Sequence, residues 1–272
     1  MNDILQVLLW PALACLVVTG IHAYLGLHVV ERGVIFVDLS LAQIASLGAT
    51  IAFLIGVDVH GDGAYFFSLG FTLIGAALFT LTRTKKGAIP HEAIIGIVYA
   101  VSAAATVFVM DRAREGAEHI KYILVGNLLA VGPRDVLKIA ILYSIIGLLH
   151  WWWREPFLLV STNPAEAIRR GHNITLWDFL FYATFGIVVT ASVAIAGVLL
   201  VFSYLIVPSV AAMLFSEKIG TRLTIGWALS TVVSFAGMYG SYALDAPTGA
   251  TIVCTFGLAL ALLAGFKKLT AA

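Results

Sequence analysis

The fold class predicted by this sequence is an all-α polytopic membrane protein with about eight or nine transmembrane helices. Of its 272 residues, 61% are hydrophobic and 11% are charged, whereas soluble domains are about half apolar and about a quarter charged. The apolar residues are gathered into stretches of about twenty, the length that crosses a hydrocarbon core about 30 Å thick. A lipid bilayer is therefore the solvent in which so much apolar surface is stable.

Nine apolar stretches are candidates for the spanning helices, and a division into eight stays open. The sixth and seventh stretches run together without an intervening charge, and we expect the chain to turn between them at Gly197. The segment 122–131, YILVGNLLAV, is only about half a span long and is expected to be a re-entrant or interfacial helix. The predicted spans cover residues 4–27, 34–56, 64–82, 92–110, 134–153, 175–194, 197–215, 223–243 and 248–266.

Lysine and arginine residues are concentrated in five places, which nine spans would put on one side of the membrane. Short loops rich in these residues are retained on the cytoplasmic side. The N-terminus is therefore predicted to be outside and the C-terminus to be cytoplasmic. The five basic groups are Arg32; Arg83, Lys85 and Lys86; the stretch 154–170; Lys218 and Arg222; and Lys267 and Lys268.

The sequence argues against several other functions. The net charge is +1 and the basic residues form no stripe, which speaks against nucleic-acid binding. No G-x-x-x-x-G-K-[ST] phosphate loop occurs, so the chain is not predicted to hydrolyse ATP itself, and no H-E-x-x-H, C-x-x-C or G-x-S-x-G motif suggests another enzyme. Both cysteines lie in apolar runs, where thiols usually behave as small hydrophobic groups.

Polar residues follow one face of the second predicted span. Ser40, Gln43, Ser46 and Thr50 recur at intervals of three and four, the spacing of one helical face. Such a face either lines a substrate path or forms hydrogen bonds between packed helices. The residues alone leave both interpretations open.

Three ionisable residues inside predicted spans are further candidates for a path, because such groups are costly in a membrane. Asp38 lies near the start of the second span and His22 lies late in the first, where each also has a simple local explanation. Glu92 follows Pro90 at the start of the fourth span, where a carboxylate suits the positive end of the helix dipole.

A short helix with both ends marked is predicted in the stretch NPAEAIRRGHN at 163–173. The stretch has the features of helix capping in the required order: an Asn cap, a Pro at the first helical position, an acidic first turn, a basic last turn and a Gly stop. A helix of about seven residues is unstable alone in water, so it must dock on something, either lipid headgroups or protein. These residues are Asn163, Pro164, Glu166, Arg169, Arg170 and Gly171.

These residues resemble the permease subunit of the metal-ion ABC importers, the family that takes up zinc, manganese and iron. The family's D-P-x-x-A-x-x-x-G motif is matched by Asn163, Pro164, Ala167 and Gly171, with Asn in place of Asp. Its L-I-x-P-x-x-x-A segment is matched at Pro208. Its S-x-x-x-D-x-P-x-G ending is similar to Ser241, Asp245, Pro247 and Gly249. Its helix start of the form carboxylate-x-x-x-G is similar to Glu92 and Gly96, and its Y-x-x-G-x-x-L stretch is similar to residues 122–128.

One departure concerns the metal. Many members carry G-D-A-x-S-H-A, whose Asp and His are thought to meet the ion. Here Gln43 stands in the place of the His and Leu39 in that of the Asp, while Asp38 is displaced by one position, about 100° around a helix. The metal ligands therefore stay unassigned.

The resemblance implies a type II ABC importer-like permease, with residues 1–272 as a single transmembrane domain and a cytoplasmic coupling-helix loop at about 154–173. Two such chains, forming a homodimer in a bacterial or archaeal inner membrane, would enclose the path. Cytoplasmic ATPase subunits would bind ATP and grip the short helices, and an extracytoplasmic metal-binding protein would deliver a divalent ion. Zinc is the first expectation, with manganese and iron open. The alternatives are a gradient-driven secondary transporter, for which no clear internal repeat is found, and an intramembrane enzyme.

Overall fold

The computed structural model describes residues 2–57, 62–83, 89–111, 126 and 128–271. Within those ranges it contains eleven α-helices, one 3-10 turn at Leu128–Ala130 and no β-strand. Helices satisfy their backbone polar groups within their own segment, as lipid requires. The predicted all-α polytopic fold is confirmed. The helices are α1 (Asn2–Arg32), α2 (Val37–Leu54), α3 (Asp62–Thr82), α4 (His91–Met110), α5 (Pro133–Trp152), α6 (Arg154–Thr162), α7 (Pro164–Arg169), α8 (Ile174–Ala196), α9 (Val198–Met213), α10 (Ile219–Leu244) and α11 (Thr248–Ala271).

Eight of these helices are long and apolar enough to cross a membrane, namely α1 to α5, α8, α10 and α11. The seventh predicted span, 197–215, corresponds to α9, which has 16 residues and is about 24 Å long at about 1.5 Å per residue. The predicted turn at Gly197 is confirmed, since this residue has φ 76° and precedes the first residue of α9. That positive φ is a backbone conformation that glycine adopts without strain.

Half of the predicted re-entrant segment at 122–131 lies outside the described residues. Its described part consists of Gly126, the 3-10 turn Leu128–Ala130, and Val131. Gly126 has φ 69°, and a Cβ at this position would overlap the backbone where α8 gives way to α9. The basic residues Lys85 and Lys86 also fall outside the described ranges.

Residues divide into two compact units. The first unit comprises Met1–Val30, Leu124–Gly147 and Ile195–Ala272, and in it α9, α10 and α11 pack against one another. Small residues permit close approach: a Cβ on Gly237 of α10 would lie only 2.7 Å from the Cα of Ile252 in α11. Membrane helices commonly meet at such small residues, because packing has to replace the hydrophobic drive that lipid removes.

The second unit comprises Glu31–Ile123 and Leu148–Ala194. Its centre is α2, which packs on both α3 and α4. A Cβ on Gly48 would lie 2.9 Å from the carbonyl oxygen of Phe67, so glycine is what lets α3 approach α2. A hydrogen bond of 2.9 Å between the hydroxyls of Thr72 and Thr190 joins α3 to α8.

Tryptophans mark the end of α5, immediately before the segment that carries α6 and α7. Trp151, Trp152 and Trp153 are all exposed, and the guanidinium carbon of Arg154 lies 5.5 Å from the ring centroid of Trp151. Tryptophan is enriched where a membrane meets water. The α6–α7 segment therefore begins at a membrane surface.

Candidate functional site

The short helix α7 begins with a side-chain cap, as predicted. The Oδ1 atom of Asn163 accepts a hydrogen bond of 3.1 Å from the backbone N–H of Glu166, and Pro164 follows as the first helical residue. Asn at this position satisfies a donor that the helix itself cannot reach, and Pro has no N–H to leave unpaired. Asn therefore serves as the cap that Asp would provide in the family motif.

The C-terminal end of α7 is closed by a Schellman motif. His172 donates its backbone N–H to the carbonyl of Ala167 at 2.9 Å, and Gly171 donates to Ile168 at 3.0 Å. This geometry places Gly171 at φ 82°, in the left-handed region. The pair of bonds satisfies carbonyl groups that have no partner within the helix itself. Both helix ends predicted from the sequence are confirmed.

Charged side chains hold α7 against α6. Glu166 pairs with both Arg169 and Arg170, and Arg170 also reaches Glu155 of α6 at 2.9 Å. Hydrogen bonding to Glu166 raises the pKa of Arg170 above its ordinary value. These groups are largely solvent-exposed, so each pair contributes little to stability by itself. Their effect is to orient the two helices.

One face of α7 is anchored and another is free. Ala167 is fully buried, whereas Ile168 is 45% exposed and Arg169 points into solvent. A buried alanine leaves no room for a larger side chain, and an exposed isoleucine beside a cation offers a surface for a protein partner. The helix is therefore docked on its own chain and still presents an apolar tip.

The polar face predicted on α2 is buried inside the second unit. Ser40, Gln43, Ser46 and Thr50 are each at most 6% exposed. Among the described residues, the hydroxyls of Ser40, Ser46 and Thr50 have no hydrogen-bond partner. Hydroxyls in other spans, such as Thr80 of α3 and Thr106 of α4, donate to the carbonyl four residues earlier. The α2 hydroxyls thus keep their hydrogen-bonding capacity unused.

Two carboxylates lie at the start of α2. Asp38 is buried and its Oδ1 accepts a bond of 2.6 Å from the backbone N–H of Leu39. The Oε1 atom of Glu92, at the start of α4, accepts a bond of 2.9 Å from the backbone N–H of Phe36, the residue that caps α2. Glu92 therefore contacts the N-terminal end of α2, in addition to its place at the start of α4.

His22 belongs to the first unit, unlike the other candidates for the path. Its ring is fully buried, and Nδ1 contacts the carbonyl of Val18 at 2.9 Å. Nε2 has no partner among the described residues, and neither has the hydroxyl of Thr19 three residues earlier. The part of the chain that the structure describes contains no group of three or more His, Cys, Asp or Glu side chains able to hold a metal ion.

The remaining family motif forms the turn between α10 and α11. The hydroxyl of Ser241 donates to the carbonyl of Ala246 at 2.6 Å and contacts the hydroxyl of Thr248 at 2.8 Å. Asp245 ends α10 in the left-handed conformation, with φ 48°. Pro247 precedes α11, and its carbonyl accepts a hydrogen bond from the N–H of Thr251. The buried Gly249 lies in the first turn of α11, and Pro208 lies buried inside α9. These motif residues therefore shape the turn and pack inside the helices.

A buried ionic cluster in the second unit was missed by the sequence reasoning. Asp178 of α8 pairs with Arg32, the last residue of α1, and with Arg83, which follows α3. Arg32 also donates to the hydroxyl of Ser161 in α6 at 2.8 Å. The signal in the sequence was Asp178 itself, because it is an acidic residue within a predicted span. Basic residues at the ends of other spans were available as its partners.

Comparison with known proteins gives a consistent result. The family model of the ABC 3 transport family matches residues 4–267. A "probable iron transport system membrane protein" of Haemophilus influenzae is 27% identical over 237 residues, which cover 87% of this chain and 81% of that protein. The manganese transport system membrane protein MntC of Listeria monocytogenes is 26% identical over 247 residues, covering 90% and 85%.

A solved structure also shares the fold. PsaBC from Streptococcus pneumoniae, in complex with Fab, contains a chain that matches with a TM-score of 0.80 at 21% identity, covering 96% of this chain and 93% of that one. The resemblance proposed from the motifs is confirmed, because the family model spans nearly all of the sequence. This chain belongs to the ABC 3 transport family.

Proposed function

We propose that this chain is the membrane-spanning permease subunit of an ATP-driven importer of divalent transition metal ions. The observation that carries the proposal is the match of the family model to residues 4–267, since it covers the spans and the α6–α7 loop together. The names of the relatives, one for iron and one for manganese, support metal ions as the cargo.

Contact with a partner ATPase is assigned to α7 in this proposal. The helix is fixed at both ends by its own caps, its Ala167 is buried, and its Ile168 and Arg169 are exposed, so that another protein could contact them. A rigid, prefolded contact transmits movement better than a loop that must first become ordered. The end of the second unit that carries Arg32, Arg83 and α7 would then face the cytoplasm, in agreement with the basic groups in the sequence.

The path for the ion is assigned to the polar face of α2. Asp38, Gln43 and the hydroxyls of Ser40 and Thr50 would meet the ion when the protein opens, and Glu92 would hold the start of the helix. Two copies of the chain would enclose the path. ATP would bind to the partner subunit, and an extracytoplasmic protein would supply the ion.

Manganese or iron fits this donor set better than zinc. Carboxylate, amide and hydroxyl oxygens suit Mn²⁺, whereas zinc prefers nitrogen and sulfur ligands. Gln43 supplies an oxygen where the family motif has a histidine. Zinc, the first expectation from the sequence, therefore becomes the competitor to be tested.

The test is uptake into lipid vesicles that contain this chain assembled with its ATPase. We expect uptake of Mn²⁺ that requires ATP on the side of the membrane where the ATPase is bound. This uptake should stop when the catalytic carboxylate of the ATPase is replaced. Added Fe²⁺ should compete more strongly than Zn²⁺. Uptake that continues from a proton gradient without ATP would refute the proposal and favour a secondary transporter.

A further inference from the structure

We propose that Arg32 and Asp178 are positioning residues that tie the α7 loop to the start of α2, so that movement of α7 reaches the polar face. The inference rests on the proposed function, because it takes α7 as the contact with an ATPase. It assigns the transmission of that movement to a cluster of side chains that touch neither the partner nor the ion.

A single guanidinium bonds to both sides of α7. Arg32 donates through Nη1 to Oδ1 of Asp178 at 2.6 Å and through Nε to Oγ of Ser161 at 2.8 Å. Ser161 lies in α6, two residues before Asn163, and Asp178 lies in α8, beyond Gly171. The α7 loop therefore begins and ends at groups held by the same side chain.

The guanidinium is held rigidly. The Arg32 side chain is 1% exposed, and its guanidinium carbon lies 4.0 Å from the centroid of the Phe181 ring in α8. Such stacking, together with two donors in a fixed planar fork, is geometry that arginine provides and lysine does not. A displacement of α6 or α8 must consequently move the end of α1.

The end of α1 is joined closely to α2. Four residues separate Arg32 from Val37, the first residue of α2, and Val37 donates its N–H to the carbonyl of Val34 at 3.1 Å within this turn. The N–H of Phe36 in the same turn is held by Glu92 of α4. A movement of Arg32 thus reaches α2 through a short, hydrogen-bonded turn.

The charge balance makes Asp178 the centre of the cluster. Its Oδ1 accepts from both Arg32 and Arg83, while its own side chain is 2% exposed. Removing one partner from a buried ionic group leaves the others uncompensated, which is strongly unfavourable. Without Asp178, two cations would face each other and the ends of α1 and α3 would separate from α8.

The experiment compares two hydroxyl deletions in α6, one at a residue that contacts Arg32 and one at its neighbour in the chain. Ser161→Ala removes the contact with Arg32 and a bond to the Phe157 carbonyl in its own helix. Thr162→Val, the matched control, removes a bond to the Leu158 carbonyl in the same helix. A third variant, Asp178→Asn, keeps the shape of the side chain and removes its charge.

The measurement is the number of Mn²⁺ ions taken up per ATP hydrolysed by the complete transporter in vesicles. We expect this ratio to fall about tenfold or more in Ser161→Ala, as befits a lost hydrogen bond to a charged group, and at least as far in Asp178→Asn. Thr162→Val should keep the wild-type ratio. A simple structural role would lower uptake and ATP hydrolysis in proportion and leave the ratio unchanged.

The outcomes separate this inference from the proposed function. Wild-type protein that shows no ATP-dependent uptake contradicts the proposed function. Wild-type uptake with an unchanged ratio in Ser161→Ala and Asp178→Asn contradicts the role of the cluster and leaves the function standing. If Asp178→Asn does not assemble, the comparison of Ser161→Ala with Thr162→Val decides the question, because both of these variants retain every charge of the cluster.

Discussion

Replacing Gly171 by valine tests whether the shape of α7 matters for transport. Gly171 has φ 82°, and no atom of a described residue beyond its two chain neighbours lies within 4 Å of the position that a Cβ would take. Crowding by neighbours therefore does not contribute. The cost comes from the backbone, because an L-residue in the left-handed region is less stable by about 1–2 kcal/mol and a β-branched residue is at the upper end.

A cost of this size is large for so short a helix. The α7 helix has six residues, and its C-terminal end depends on the bonds from Gly171 to Ile168 and from His172 to Ala167. A loss of about 2 kcal/mol shifts the balance between the capped and the frayed end by about 30-fold. The spanning helices, which make no use of this cap, should keep their stability.

The assay measures metal uptake and ATP hydrolysis of the assembled transporter in vesicles. We expect Gly171→Val to retain ATP hydrolysis and to lose about 30-fold in ions transported per ATP, in line with the shift calculated for the cap. The control is Gly257→Val, the same chemical change at an open position in the helix α11. If Gly171→Val and Gly257→Val both transport like the wild type, α7 does not act as a fixed contact.

Further predictions concern the path, the packing and the N-terminal cap. Gln43→Leu should lower the initial rate of Mn²⁺ uptake while the thermal unfolding temperature stays unchanged; unaltered uptake would favour helix packing alone. Gly26→Ala should destabilise the protein by about 1–3 kcal/mol in thermal unfolding, because its Cβ would overlap the Leu205 carbonyl, whereas Gly20→Ala, with open space nearby, should not. Asn163→Ala should cost α7 about 1 kcal/mol and speed its amide hydrogen exchange, and Asn163→Asp should restore protection.

The features predicted well from the sequence are those fixed by neighbouring residues. Both ends of α7, from the Asn163 cap to the Gly171 stop, follow from local hydrogen-bonding rules that need no tertiary structure. The division at Gly197 was predicted because the combined stretch exceeds the length of one span. The existence of most spans followed in the same way from length and hydrophobicity.

The features that were missed depend on residues far apart in the sequence. Arg32 and Asp178 are separated by 146 positions, and nothing in their local context shows which of several available charges each will meet. The same holds for Glu92. Its place at the positive end of the α4 dipole could be inferred from the sequence, but its contact with the N–H of Phe36, 56 positions away, could not. Partner choice of this kind requires the packing of α1, α2, α4 and α8 to be known.

The buried hydroxyls of α2 bear on the choice that the sequence left open for its polar face. If helix packing were their role, Ser40, Ser46 and Thr50 would be expected to bond to a neighbouring helix or to their own carbonyls, as Thr72 of α3 bonds to both Thr190 and Ser68. They bond to neither among the described residues. An unpaired buried hydroxyl is costly, and a state of the transporter in which water or an ion reaches this face would relieve that cost. The unpaired hydroxyls therefore favour a face that lines a path over one that only joins helices.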